Sequence, residues 1–151
     1  MKNLSLVPEY LTNNILDRIL LGGIKMINKI GKITLYVDNQ EEAKAFWIEK
    51  LNFIVKFQKE MGPNMKWIEV GPSESEFTTF ILYDKTLMKS QNPDANLEHP
   101  SIILSTIDIE SAYDKMKNNG VEVGMMMNMP YGKMFPFKDQ DGNEYLVRED
   151  K

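Results

Sequence analysis

From residue 30 onward the chain repeats itself, and this limits its fold more than any other feature of the sequence. At a constant offset of 69, Ile33, Leu35, Glu41 and Ala43 stand in register with Ile102, Leu104, Glu110 and Ala112. The identities are few, but the order of elements around them is shared. In the first module, Ile30–Val37 is rich in β-branched and apolar residues and reads as a strand. Asn39 follows as a helix N-cap, with Glu42 placed as in a capping box. Ala43, Phe46, Trp47 and Leu51 then recur at helical spacing. Three strand candidates complete the module, Phe53–Gln58, Lys66–Val70 and Phe77–Tyr83, separated by Gly62-Pro63 and Gly71-Pro72 turns.

The second module runs through the same order. Ile102–Ile107 is the strand, Asp108 the cap, and Ile109, Ala112, Tyr113 and Met116 the helical stripe, closed by Asn119-Gly120. Val121–Met126, Met134–Phe137 and Glu144–Arg148 are the later strands, the last two joined at Asp141-Gly142. The fold expected is α+β: two βαβββ modules forming curved mixed sheets around a cleft. The domain spans 27–151, with module one at 27–83, a polar linker without periodicity at 84–100, and module two at 101–151. A separate segment, 1–25, reads as one short helix, from Leu11, Ile15 and Ile19 at a spacing of four and a stop at Gly22-Gly23.

Strand side chains alternate between faces, so one set packs under the helix and the other lines the opposite side. Two such sides facing one another would make a ligand cleft. A ferredoxin-like domain with both faces in the core is the rival reading, and the duplication argues against it. The alternation nominates Lys32, Thr34 and Tyr36 with Ser101, Ile103 and Ser105 from the first strands. From the last strands it nominates Thr78, Phe80 and Leu82 with Glu144, Leu146 and Arg148. Trp67, Phe135 and Tyr131 offer stacking surface for a planar ligand or serve as ordinary core. Met125, Met126, Met127 and Met129 suit a permissive pocket wall, a dimer seam or core filling.

Composition removes several function classes. A chain of 151 residues fits one domain or two small modules sharing a core. With 18 basic against 22 acidic side chains, the net charge of −4 offers no footprint for a phosphate backbone, so nucleic acid is not an expected partner. The absence of cysteine removes disulfides, thiolate metal sites and cysteine nucleophiles. With one histidine, a serine–histidine–acid arrangement has no support. The apolar stretch Ile15–Ile24 is broken by Asp17 and Arg18, too short to cross a bilayer and unlike a signal peptide. No membrane partner is expected, and the expected location is the cytoplasm.

Phe137-Lys138-Asp139-Gln140-Asp141-Gly142-Asn143 is similar to the Asp-Pro-Asp-Gly-Asn box before the final strand of the vicinal-oxygen-chelate superfamily, with Gln140 in place of proline. That superfamily holds glyoxalase I, the extradiol dioxygenases and the bleomycin-resistance proteins. Trp67-Ile68-Glu69-Val70-Gly71-Pro72 resembles the third strand and turn of glyoxalase I, and Asp38 to Phe46 resembles the family's opening helix. The resemblance covers about residues 27–150.

In metal-dependent members each module supplies one ligand from its first strand and one from its last. Carried across, the four positions are Lys32, Phe80, Ser101 and Leu146. A protonated lysine has no lone pair, Phe80 and Leu146 have no donor atom, and a neutral hydroxyl is a poor ligand for zinc, nickel or iron. Shifting each strand by one residue adds no strong ligand. His99 sits two residues before Ser101 and reads as a cap on the linker rather than a displaced ligand. No metal and no cofactor are therefore expected.

The resemblance then implies a metal-free, bleomycin-resistance-like binder of a small organic molecule, acting as a homodimer. Lys32 is either a built-in cation for an anionic ligand group or a lysine reaching to solvent. Arg148 is either a carboxylate clamp or a solvated edge residue. The alternative is a lyase, isomerase or dioxygenase-type enzyme, using acid–base chemistry of Lys32 with Glu69 or Glu144 or an atypical metal site. A third possibility is a scaffold whose cleft is closed by side chains.

Overall fold

Apolar residues at every second position place Lys32–Val37 in a strand, β1, whose Leu35 and Val37 are buried. The strand belongs to a computed structural model that describes residues 26–150. The chain divides into two units, Met1–Ile30 and Gly31–Lys151. The helix expected in 1–25 lies outside the described residues. After β1, the Asn39 side chain accepts from the Glu42 amide at 3.0 Å and starts α1, Gln40–Ala45. The helix continues as a π-helical turn, Phe46–Lys50, which carries Phe46 and Trp47 into the core together. Strands β2 (Ile54–Glu60), β3 (Lys66–Gly71) and β4 (Thr79–Asp84) complete a sheet of order β1-β4-β3-β2, with β1 and β4 parallel.

The second module repeats this wiring. Strand β5 (Ile103–Thr106) is followed by a helix, Ile109–Asn118, whose Ser111 amide is capped by the Asp108 carboxylate at 3.0 Å. Gly120, at φ 77°, turns the chain out of that helix in the left-handed region. Strands β6 (Glu122–Val123), β8 (Gly132–Lys138) and β9 (Glu144–Glu149) give the order β5-β9-β8-β6, with β5 and β9 parallel. A short strand β7, Met127–Met129, pairs with β8 beside β6. The α+β, two-module architecture is the one the repeat implies.

Two elements differ from the sequence reading. The linker 84–100 contains a helix, Lys85–Gln91, started by the Asp84 carboxylate on the Leu87 amide at 2.7 Å. It is α2, and the helix of module two is α3. Two turns are too few to show an apolar period. Of the strand expected at Val121–Met126 only Glu122–Val123, β6, pairs as a strand, and β7 begins just beyond it at Met127. Opposite the break stands Pro136, which has no N–H to donate; its carbonyl accepts from Gly124 at 2.7 Å before pairing lapses.

The helix-facing sides of both sheets feed one core. Trp47, fully buried, meets Phe53 at 4.8 Å and Phe80 at 5.1 Å in its own module, and Tyr145 at 5.1 Å and Phe137 at 6.3 Å in the other. Phe135, assigned either to a pocket or to the core, is core, edge-on to Tyr113 at 5.1 Å.

The Asp139–Asn143 box is a hydrogen-bonded loop. The Asp139 carboxylate accepts from the Asp141 amide (2.9 Å), the Asn143 amide (3.0 Å), the Asn143 side chain (3.3 Å) and the Tyr145 hydroxyl (2.9 Å). Gly142, at φ 80°, closes the turn. Asp141 reaches back to module one and accepts from the Asp38 amide at 3.2 Å. Replacing Asp139 by alanine orphans several donors, one of them the buried Tyr145 hydroxyl. We expect a loss of ~3 kcal/mol in urea unfolding, because bonds to a charged acceptor are individually strong. Asp139→Asn is expected to lose less.

Candidate functional site

Pairing register decides which side chains share the face away from the helices. Lys32 on β1 stands beside Thr79 on β4, and Glu69 on β3 stands beside Ile81. The face carrying Lys32 therefore also carries Glu69, Thr79 and Ile81. On it the Lys32 ammonium lies 2.8 Å from Glu69 Oε2, which also accepts from the Thr79 hydroxyl at 3.0 Å. The other oxygen, Oε1, accepts from the Trp67 indole N–H at 2.7 Å. Tyr83 extends the group, edge-on to Trp67 at 6.3 Å and to Tyr36 at 6.1 Å. Three of the nominated residues, Lys32, Tyr36 and Trp67, are thus brought together by β1, β3 and β4.

Three others gather on the second sheet. Ile103 pairs with Leu146, and Ser105 with Arg148. The Arg148 guanidinium donates to the Tyr131 carbonyl at 3.3 Å and sits 5.6 Å from the Tyr131 ring centre. Ser101 is exposed in the segment before β5. His99 bonds the Glu144 carbonyl at 3.1 Å and meets Tyr145 edge-on, so it ties the linker to β9.

Phe80 requires correction. It points to the helix side, stacked on Phe53 at 6.2 Å and against Trp47, and Leu82 is likewise core. The residues of β4 on the Lys32 face are Thr79, Ile81 and Tyr83. Thr79 through Tyr83 are all buried, so no polar–apolar alternation marks the phase of that strand in the sequence.

Glu69 is the site's fixed anion. Burial alone would raise its pKa, but hydrogen bonds from Lys32, Trp67 and Thr79, together with the Lys32 charge, outweigh it and hold the carboxyl below its ordinary value of 4.5. The family's divalent cation does not fit here. Lys32 holds the position of a ligand, and both Glu69 oxygens are already committed to donors. Among the described residues no group of three or more His, Asp or Glu side chains is placed to hold a metal.

A cavity of about 460 Å³ lies elsewhere, at the junction of the modules. Ile33, Phe53 and Phe80 line it from one module, and Leu104, Met116 and Val147 from the other. Of the residues nominated by strand alternation, Thr78, Phe80, Ile103 and Ser105 reach it. Among the described residues no helix is long and apolar enough to cross a membrane.

The two βαβββ modules, their mixed sheets and their common aromatic core define a duplicated α+β class whose free sheet faces carry the polar side chains. A model of the Glyoxalase/Bleomycin resistance protein/Dioxygenase superfamily matches residues 29–146, and the chain belongs to that superfamily. It is 40% identical over 125 residues to the protein YetH of Bacillus subtilis strain 168, covering 82% of this chain and 100% of that one. A crystal structure of a superfamily member from Sphaerobacter thermophilus is 29% identical, with a TM-score of 0.71, and covers 83% of this chain and 100% of its own. TnmS3 from Streptomyces sp. CB03234, described as an antibiotic binding protein, shares the fold at 23% identity and a TM-score of 0.70, covering 85% of this chain and 100% of its own.

A lowered Glu69 pKa gives stability that is complete above about 4.5 and is lost as pH falls through the folded-state value. The stability advantage of wild type over Glu69→Gln is therefore expected to shrink as urea unfolding is moved from neutral pH to below 4.5. A gap unchanged across that range would contradict the ion-paired carboxylate.

Proposed function

We propose that the protein binds a small organic molecule reversibly on the Lys32–Glu69 face, without a metal ion. The observation that carries this reading is the ammonium–carboxylate contact of 2.8 Å at the position where the family resemblance puts a metal ligand. The Lys32 side chain remains 47% exposed, so an ammonium with three donors can still reach a ligand acceptor. Trp67 and Tyr36 beside it supply flat apolar surface, so the matching ligand combines a ring system with a hydrogen-bond acceptor or anionic group. TnmS3, with the same fold and described as an antibiotic binding protein, supports a binding rather than a catalytic role.

The same proposal covers assembly and location. On and beside the second sheet, Ile103 (54% exposed), Tyr131 (57%) and Met129 (39%) form apolar surface suited to a second copy of the chain. Ile103, Leu146 and Arg148 of one copy would then contribute to the site of the other, in a homodimer. We also place its action in the cytoplasm, a compartment with which a chain free of cysteine is compatible. General-base catalysis by Glu69 is the weaker reading, because a carboxylate with a lowered pKa is a poor proton acceptor near neutral pH.

A thermal-shift screen of ring-bearing carboxylates and phenols tests the proposal on wild type and Lys32→Met. A stabilising compound is expected to bind the variant about 10- to 100-fold more weakly, the loss of one charge-assisted hydrogen bond of roughly 1.5–3 kcal/mol. Equal affinity for the two proteins would remove Lys32 from the site. Chelator treatment is expected to leave binding unchanged.

A further inference from the structure

We propose that the cavity at the module junction is a second ligand site, on the opposite side of the first sheet from Lys32 and along the β5 edge of the second, for a small uncharged molecule carrying a flat ring. It does not rest on the Lys32 reading. The volume of about 460 Å³ lies within the range of small-molecule pockets. One wall is a ready-made aromatic platform: Phe53 and Phe80 lie with ring planes 24° apart and centres 6.2 Å apart, and both line the cavity. Facing chemistry is aliphatic, with Ala112 and Met116 from α3 and Val147 from β9.

Charge selects the ligand. Among the lining residues Glu76 is the one ionisable side chain, and it is exposed at the rim, where its Oε1 accepts from the Thr78 amide at 3.0 Å. Among the described residues no lysine, arginine or histidine lines the space, so an anion would meet the Glu76 carboxylate and no counter-charge from them. The Lys32 face has the reverse character, which separates the two sites by ligand class.

Fluorescent N-phenylnaphthylamine, which is uncharged, and its sulfonated analogue anilinonaphthalene sulfonate test this on the full chain. Wild type is expected to bind the neutral probe at least about tenfold more tightly than the sulfonate. Ala112→Phe fills the aliphatic wall, and Ser105→Phe crowds the cavity from an exposed position on β5. Each is expected to weaken the neutral probe on the order of tenfold or more. If Ala112→Phe melts early, the exposed Ser105→Phe decides the matter alone. Glu76→Gln, which keeps the oxygen that accepts from Thr78, is expected to narrow the gap between probes. Neutral-probe affinity unchanged in the filled variants, or equal affinity of wild type for both probes, would overturn the proposal.

Discussion

Trp47 is the side chain on which the two modules converge. The π-helical turn after α1 lowers it between the sheets, where it contacts Phe53 and Phe80 on one side and Phe137 and Tyr145 on the other. Its burial is complete, and its indole N–H has no hydrogen-bond partner among the described residues. An orphaned donor costs about 1–3 kcal/mol, which the aromatic contacts must exceed. The consequence reaches beyond packing. Once the helix-facing sides are committed to a shared core, strand alternation sends Lys32, Glu69 and Thr79 the other way, and the polar cluster has a place to form.

Much of this was legible in the sequence because duplication is robust to small errors. The caps at Asn39 and Asp108 announced both module helices, and the polar side chains of Asn39 and Asp108 do cap them. Lys32 and Tyr36 were nominated for one face because β1 carries a readable alternation, whereas Trp67, open between stacking surface and core, joins that face through the pairing of β3 with β4. Phe80 did not, because β4 is buried on both sides and its phase is fixed only by pairing with β1. The helix Lys85–Gln91 and the break opposite Pro136 escaped for similar reasons: each depends on a few local hydrogen bonds rather than on a period. The cavity was also illegible, since Phe53, Leu104 and Met116 look like ordinary core residues in any single element.

The chemistry of the Lys32 face follows from one ion pair. At a position where the family resemblance implies a metal ligand the chain carries the Lys32 ammonium, and Glu69 balances it. Thr79 and Trp67 also donate to Glu69, three donors in all with Lys32, so the carboxylate is a fixed acceptor rather than a mobile base. Such a cluster would orient a ligand by hydrogen bonds while the half-buried rings of Trp67 and Tyr36 provide area. Binding energy would then come from apolar contact, and selectivity from the few polar atoms.

Direct titration of divalent metals into the full chain, read by calorimetry on wild type and Glu69→Gln, tests this account at its centre. The account predicts no saturable uptake of zinc, nickel, manganese or iron(II) by either protein. Stoichiometric uptake by wild type that disappears in Glu69→Gln would show that the carboxylate is a metal ligand after all, and that the lysine ion pair yields to a cation.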